Sequence, residues 1–379
     1  MGDRCDRRGP GSLFVSCGEA SGDQYSKILI EALRSAGFQG VIWGMLGPMG
    51  ASAGGEAAWD SGALSLMGVS EVLGAVPRLV RLKGEICAEV LKRSPAGVVV
   101  IDSPDFHLPL LKALKKKGYR GKVFYIAPPA VWAWRSGRVS LLAELCDLCF
   151  PLFDFERIFL EGHGVPCRWF GHPLSGILRG TAPADVGSSK EKTVALLPGS
   201  RKSEVSNLLP VLLETAEGLA GRGYRPVFSS APGLRVETAA MIRDRCRQWD
   251  VYDGPGTALM AASGLVIGSS GTAAVEALIL GRYMIVLYRA SFSSWLAYKA
   301  FVRTRWVSIP NILAGGDLYP ELLQFQATPG RVLRHFDDYV GDPTLRRKID
   351  GMMMTAARSL DGGDAPRGWA DSILEALPS

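Results

Sequence analysis

Short apolar runs alternate with segments of helical periodicity along the whole chain. The strand candidates are SLFVSC, VIWGML, GVVVID, KVFYIA, LCFPLF, TVALLP, PVFSS, GLVIGS and MIVLY. They are continuously apolar rather than alternating, which predicts strands buried on both faces of a parallel sheet. The segments between them, such as LLPVLLETAEGLAGRG, carry apolar residues at helical spacing. An α/β, doubly wound fold follows. The stretch 180–192, GTAPADVGSSKEK, holds no large apolar residue and reads as a linker or surface loop. The alternation restarts just after it, at Val194. Two Rossmann-like domains facing each other across a cleft are therefore expected, over residues 1–180 and 190–344. The helical segment 345–379, ending in WADSILEAL, is available to pack back on the first domain.

Composition supports this division. At 379 residues the chain exceeds one ordinary core, and 47% hydrophobic with 21% charged residues is globular rather than disordered. The formal charge of +6 suits an anionic substrate, an anionic membrane face or a nucleic acid equally well. No basic stripe interleaved with aromatics supports nucleic acid, and the run Lys115 to Lys117 reads as a solvated helix end. Seven scattered cysteines and the lack of a secretory leader predict a reducing, cytoplasmic setting. Cys146 and Cys149 form a C-x-x-C inside an apolar run with no second pair or His cluster nearby, so buried thiols are expected and no metal site. No stretch reaches the roughly 18 to 20 apolar residues of a membrane span. Residues 64–92, LSLMGVSEVLGAVPRLVRLKGEICAEVLK, mix large apolar residues with Arg78, Arg81, Lys83 and Lys92. That pattern fits either a core helix or an amphipathic segment lying in a bilayer surface.

Ligands of open parallel sheets gather at the carboxyl ends of the strands. No G-x-G-x-x-G follows the opening strand and no G-x-x-x-x-G-K-[ST] occurs, which leaves a P-loop hydrolase unsupported. SCGEASGD, Ser16 to Asp23, turns from strand to helix on small residues and offers Gly18, Glu19 and Ser21 to a ligand. Ser21 or Asp23 is expected to cap that helix. GVVVIDSPDF delivers Asp102 to a strand end, where a half-shielded carboxylate can act as a base, while Asp105 after Pro104 reads as an N-cap. PPAVWAWRSGR, with Trp132 and Arg135, is either an aromatic packing loop or an apolar wall with cations for a phosphate-bearing amphiphile. His172 in RWFGHP stands at another strand end, or serves as a structural donor.

Three loops of the second half converge on one chemistry. In VALLPGSRKSEV a strand runs through Gly199, Ser200 and Arg201 into a helix start, an anion site with a guanidinium beside it. In IGSSGTAAVEALILG the small residues Ser270, Gly271 and Thr272 let a ribose or phosphate approach the backbone, and Glu276 can accept ribose hydroxyls. VSIPNILAGG adds Asn311 in a Pro-braced turn. Together they suggest a nucleoside diphosphate.

At this point the chain resembles the lipid-A-disaccharide synthases, glycosyltransferases of GT-B architecture. The resemblance covers nearly the whole chain and rests on SCGEASGDQYSKILIEAL, LSLMGVSEVLGAVPRL, VVVIDSPDFHLPL, APPAVWAWRSGRV, CFPLFDFE, VPCRWFGHPL, ALLPGSRKSEV, SSGTAAVEAL and VSIPNILAGG in that order. It implies an inverting enzyme that joins UDP-2,3-diacylglucosamine to 2,3-diacylglucosamine 1-phosphate, forms a β-1′,6 disaccharide and releases UDP, without metal or other cofactor. The implied place is the cytoplasm, at the inner-membrane surface. By the same resemblance Asp102 matches the essential aspartate, Arg201 the phosphate-binding arginine, and Glu276 and Asn311 UDP-contacting positions. His107 stands where many relatives carry Asn, and Cys17 where a small residue is common; both bear on acceptor fit. Acylated substrates give the apolar, basic stretch 64–92 a reason to touch lipid. A UDP-sugar 2-epimerase and a non-catalytic UDP-sugar-binding protein are the competing readings, and a homodimer with exchanged tails is left open.

Overall fold

A computed structural model describes residues 11–64, 72–289 and 304–378. The chain divides into two compact units at Pro173/Leu174 and again at Asp361/Gly362. The first unit holds six parallel strands: β1 Leu13–Cys17, β2 Ile42–Leu46, β3 Glu56–Asp60, β4 Gly97–Ile101, β5 Lys122–Ile126 and β6 Leu148–Phe150, in the order β3-β2-β1-β4-β5-β6. Every side chain of β1, β2 and β4 is buried. Helices Ala20–Ser35, Val72–Arg93 and Pro104–Lys116 connect them. Phe14, Trp43, Ile86, Val98, Leu111 and Tyr125 belong to a single core cluster. The chain builds outward from β1 to β3 and then returns to lay β4 on the other side of β1. The β1/β4 pair is therefore the point where the winding reverses.

The second unit repeats the plan with β7 Thr193–Leu197, β8 Arg225–Ser229, β9 Asp250–Tyr252, β10 Leu265–Ser269, β11 Tyr283–Tyr288 and β12 Glu321–Leu323. Their order is β12-β11-β10-β7-β8-β9, so the reversal lies between β7 and β10. The loop 180–192 lies wholly in this unit, with the Ala184 N–H bonded to Ala258 O at 3.0 Å. The helix Pro343–Arg358 stays with this unit as well. Only the last helix, Ala365–Ala376, rejoins the first unit. There Trp369 is buried with its ring 6.3 Å from Tyr25 and 6.4 Å from Phe150, and Arg168 donates to Ser372 Oγ at 3.1 Å.

All nine strands expected from the apolar runs are present. Three more, β3, β9 and β12, were not legible, and all three are sheet edges. The side chains of β3 are mostly exposed, those of β9 exposed or half-buried, and β12 buries only Leu322. An edge strand covered on one face at most has no reason to be continuously apolar. Cys146 and Cys149 are buried free thiols.

The helix Ala20–Ser35 is not capped by Ser21 or Asp23 as expected; Glu19 takes the N-cap position in extended conformation, without a capping bond from its side chain. Asp23 instead points across to the next turn of the chain. Its carboxylate accepts the N–H groups of Gly47 (2.9 Å), Met49 (2.9 Å) and Gly50 (3.0 Å), holding the start of the short helix Pro48–Ser52. Asp23 is buried, so removing it strands three amides away from water. We predict that Asp23→Ala destabilises the protein by about 3 kcal/mol, read as a lower denaturant midpoint. An unchanged midpoint would refute that role.

The stretch 64–92 is mixed in character. Residues 65–71 lie outside the described set. Within Val72–Arg93, Leu82, Ile86, Cys87 and Val90 pack into the core, whereas Val76 and Val80 are 44% and 57% exposed beside Arg78 and Arg81. Among the described residues no helix is long and apolar enough to cross a membrane.

Candidate functional site

In the first unit the loops after β1 and β4 meet at the reversal point. Gly18 is buried, and a methyl group there would collide with the Ser103 hydroxyl, so only glycine permits this approach. Glu19 and Ser21 are half-buried on the same turn. Asp102 follows β4 with φ 54°, and Ser103 follows with φ 46°. Two consecutive non-glycine residues in the left-handed region cost about 1 to 3 kcal/mol each and need outside support. The support is visible. Asp102 N–H donates to Ile126 O at 3.0 Å, and Asp102 O accepts His107 Nδ1–H at 2.7 Å and the Tyr125 hydroxyl at 2.8 Å. A carbonyl only accepts, so His107 carries its proton on Nδ1, and its Nε2 accepts from Ser16 Oγ at 2.8 Å. Complete burial pushes the imidazole down to about 4 and keeps it neutral. Ser16, His107 and Tyr125 thus brace the main chain of Asp102 and leave its half-buried carboxylate at the strand end. His107 was noticed in the sequence only as a departure from the family pattern.

The loop after β5 carries Trp132 and Arg135. Trp132 is half-buried, with its indole N–H donated to Glu156 Oε1 at 3.0 Å and its ring edge-on to Phe155 at 4.9 Å. Glu156 also accepts Leu152 N–H and Phe153 N–H, yet burial still pushes its carboxyl up to about 7. Asp105 is not an N-cap; Ser103 holds that position. Asp105 receives Arg135 at 2.8 Å together with Arg138, and so ties this loop to the helix Pro104–Lys116. Arg135 lies over the Trp134 ring at 4.3 Å. His172 is buried, stacked on Phe153 at 5.5 Å, and burial pushes its imidazole down to about 3. It is a neutral part of the aromatic packing rather than a strand-end ligand.

In the second unit the loops after β7 and β10 likewise meet. Gly199 adopts φ 111°, and a methyl group there would lie 2.8 Å from Glu204 Oε2 and 3.4 Å from Ser269 Oγ. Ser270 N–H bonds Leu287 O at 3.1 Å, Gly271 sits at φ 128°, and Thr272 begins the helix Thr272–Ile279. Glu276 is half-buried on the second turn of that helix, and burial pushes its carboxyl up to about 7. The turn after β7 holds a surprise. The amides of Ser200 and Arg201, expected to be open to an anion, are held by Glu204 Oε2 at 3.2 and 3.3 Å. Glu204 stands three residues after the N-cap Arg201, the spacing of a capping box, although Arg rather than Ser or Thr holds the N-cap. The Arg201 guanidinium lies half-exposed, 3.9 Å from Glu204 Oε1. Tyr288 at the end of β11 faces both: burial and Glu204 push its hydroxyl up, and Arg201 pulls it back.

Asn311 lies in the short helix Ile309–Ala314. It is buried, its Nδ2 donates to Tyr319 O and Glu321 Oε1, both at 2.9 Å, and its Oδ1 accepts Tyr319 N–H at 2.7 Å. Both amide hydrogens are thus engaged by residues 319 and 321, and Asn311 shapes the chain ahead of β12.

Two doubly wound units with ligand loops at their reversal points make up the GT-B architecture of glycosyltransferases and sugar-nucleotide epimerases. The UDP-GlcNAc 2-epimerase from Neisseria meningitidis shares it with a TM-score of 0.65 over 96% of this chain and 100% of that one; at 12% identity this is a likeness of fold alone. The chain belongs to the lipid-A-disaccharide synthase family and is a glycosyltransferase. The family model of the Lipid-A-disaccharide synthetases matches residues 13–347. The lipid-A-disaccharide synthase of Pseudomonas paraeruginosa is 38% identical over 375 residues, covering 96% of this chain and 97% of that protein. That of Myxococcus xanthus is 32% identical over 379 residues, covering 97% and 98%.

Proposed function

We propose that this glycosyltransferase moves 2,3-diacylglucosamine from its UDP donor to the 6-hydroxyl of 2,3-diacylglucosamine 1-phosphate, with release of UDP. The observation that carries the reading is the meeting of the β7 and β10 loops in the second unit. Gly199 of the first loop comes up against Ser269 of the second, with the exposed Arg201 beside one and the half-buried Glu276 on the helix after the other, which supports a nucleotide site there. Arg201 and the positive helix end at Lys202 bind the diphosphate, sharing or displacing Glu204, and Glu276 accepts the ribose hydroxyls. In the first unit the Asp102 carboxylate takes the proton of the acceptor hydroxyl as it attacks the anomeric carbon, and Gly18, Glu19, Ser21, Trp132 and Arg135 line the acceptor side. Negative charge grows on the leaving diphosphate, so Arg201 binds the transition state more strongly than the substrate. The exposed Val76 and Val80 flanked by Arg78 and Arg81 let the helix Val72–Arg93 rest on an anionic membrane surface, where the acylated substrates reside. The test is UDP release from UDP-2,3-diacylglucosamine in detergent micelles with EDTA, with and without the acceptor. Acceptor-dependent release is expected. Release at the same rate without acceptor, or none, would overturn the reading and direct attention to epimerisation of soluble UDP-sugars.

Glu276 gives a pH-dependent corollary. Ribose hydroxyls favour the ionised carboxyl, so UDP affinity is expected to rise with pH through about 7 and then level off. The raised value also means that the fold prefers the protonated acid. That stabilisation is full below the ordinary carboxyl range and is lost as pH rises through about 7. Glu276→Gln is therefore expected to bind UDP roughly tenfold more weakly, without the pH dependence, and to melt higher than wild type at pH 8. Calorimetric UDP titrations at pH 6 and 8 check it; unchanged affinity with the pH dependence intact would remove Glu276 from the site.

A further inference from the structure

The second unit has a cavity of about 580 Å³ at the end of its sheet opposite to the loops after β7 and β10. It is lined by Thr193, Leu265 and Arg282, at or next to the amino ends of β7, β10 and β11. Its charge is lopsided. Arg179, Lys190, Lys192, Arg282, Arg346 and Arg358 line it against the acids Glu191 and Asp350. Several of these cations are already matched: Arg179 pairs with Asp361, Arg346 lies 4.0 Å from Asp350, and Lys192 lies over the Tyr224 ring at 4.5 Å. Asp350 is shared with the Tyr339 hydroxyl at 3.0 Å.

Lys190, Arg282 and Arg358 form no ion pair with an acid among the described residues. Burial and the Arg282 charge hold the Lys190 ammonium below its ordinary value, against the pull of Glu191. Burial does the same to the Arg282 guanidinium, and its buried Nε–H has no hydrogen-bond partner. Two like charges lining one cavity, one of them with a buried donor left unpaired, repel at a cost that an anion between them would relieve. The lining also has an apolar part: Phe336 and Met353 are buried, while Val340 and Met354 are 39% and 59% exposed.

We propose that this cavity is a second binding site, for a phosphate-bearing ligand gripped by Lys190 and Arg282 with an apolar portion against Val340 and Met354. The phosphate belongs either to a soluble ester or to the headgroup of an anionic lipid. The test uses the full chain, inorganic pyrophosphate as the soluble probe, and phosphatidylglycerol vesicles as the lipid probe. Arg201→Ala serves as the background, because it removes the anion contact of the proposed transferase site and so separates the two sites. In that background pyrophosphate is expected to raise the melting temperature, and the rise is lost on adding Lys190→Gln and Arg282→Gln. Those changes remove mutual repulsion, so the variant without ligand melts no lower than its parent; Lys190→Gln alone, with partial loss of the rise, is the check if it does not. Vesicle co-sedimentation that falls at least several-fold with the double change assigns the phosphate to a lipid headgroup. Vesicle binding untouched while the pyrophosphate effect disappears assigns it to a soluble ester. A pyrophosphate shift and vesicle binding both indifferent to Lys190 and Arg282 would overturn the proposal.

Discussion

Asp102→Asn is expected to lower transferase turnover by roughly 10² to 10⁴-fold, the range of a positioned general base, with little change in the KM for the UDP donor. The substitution isolates the carboxylate. Asn tolerates the left-handed backbone that this position requires, and the bonds from His107 and Tyr125 go to the main-chain carbonyl, which the change leaves in place. The fold and the strand-end geometry therefore persist while the proton acceptor is gone. Acceptor-dependent UDP release measured at saturating substrates reads the loss directly. A variant turning over near the wild-type rate would remove Asp102 from the chemistry and leave it as a residue that shapes the loop. UDP affinity that survives in a variant with no activity to lose, in a wild type equally inactive, would mark a binding protein instead.

Arg201→Ala is expected to cost roughly 10² to 10³-fold in kcat, about 3 to 4 kcal/mol of barrier, as for the loss of one donor to developing negative charge. The guanidinium is half-exposed, and its 3.9 Å approach to Glu204 is an ion pair screened by water, which contributes little to stability. The cost falls mainly on kcat because charge on the diphosphate grows as the glycosidic bond breaks. Arg201→Lys, which keeps the charge but not the planar fork, is expected to lie between the two. Single-turnover rates alongside UDP binding separate the effects. A change confined to UDP affinity, with kcat preserved, would make Arg201 a ground-state anchor only.

The inner strands of both sheets were readable because burial on both faces leaves few polar positions in them; GVVVI and TVALL could be little else. Asp102 and Glu276 were readable for a related reason. A carboxylate that ends a buried strand, or sits early in a helix after a run of small residues, has little structural excuse. Other polar residues were visible as residues but not in their contacts. Asp23, Asp105 and Asn311 lie in the first turns of helices, where local caps are the default, and each was assigned a local or ligand-facing part. Their partners are distant in the chain: Asp23 holds amides at positions 47 to 50, Asp105 holds Arg135 and Arg138, and Asn311 holds Tyr319 and Glu321. Glu204 is the opposite case: its bonds are local, but with Arg at the N-cap the usual Ser or Thr of the pattern is missing, and it changes which donors the turn after β7 can offer.

The sequence alone determined the α/β class, the winding in two halves and the loops where chemistry gathers, because these follow from hydrophobic periodicity and from where small and charged residues interrupt it. The tertiary structure alone decided the edge strands β3, β9 and β12, the return of only the last helix to the first unit, and the bracing of Asp102 by His107 and Tyr125. It also decided that Lys190 and Arg282 line one cavity. Periodicity records how much of a residue is buried, and burial is a property each residue carries with it. Which particular groups meet across a sheet or a loop depends on topology, and no single position in the chain encodes that.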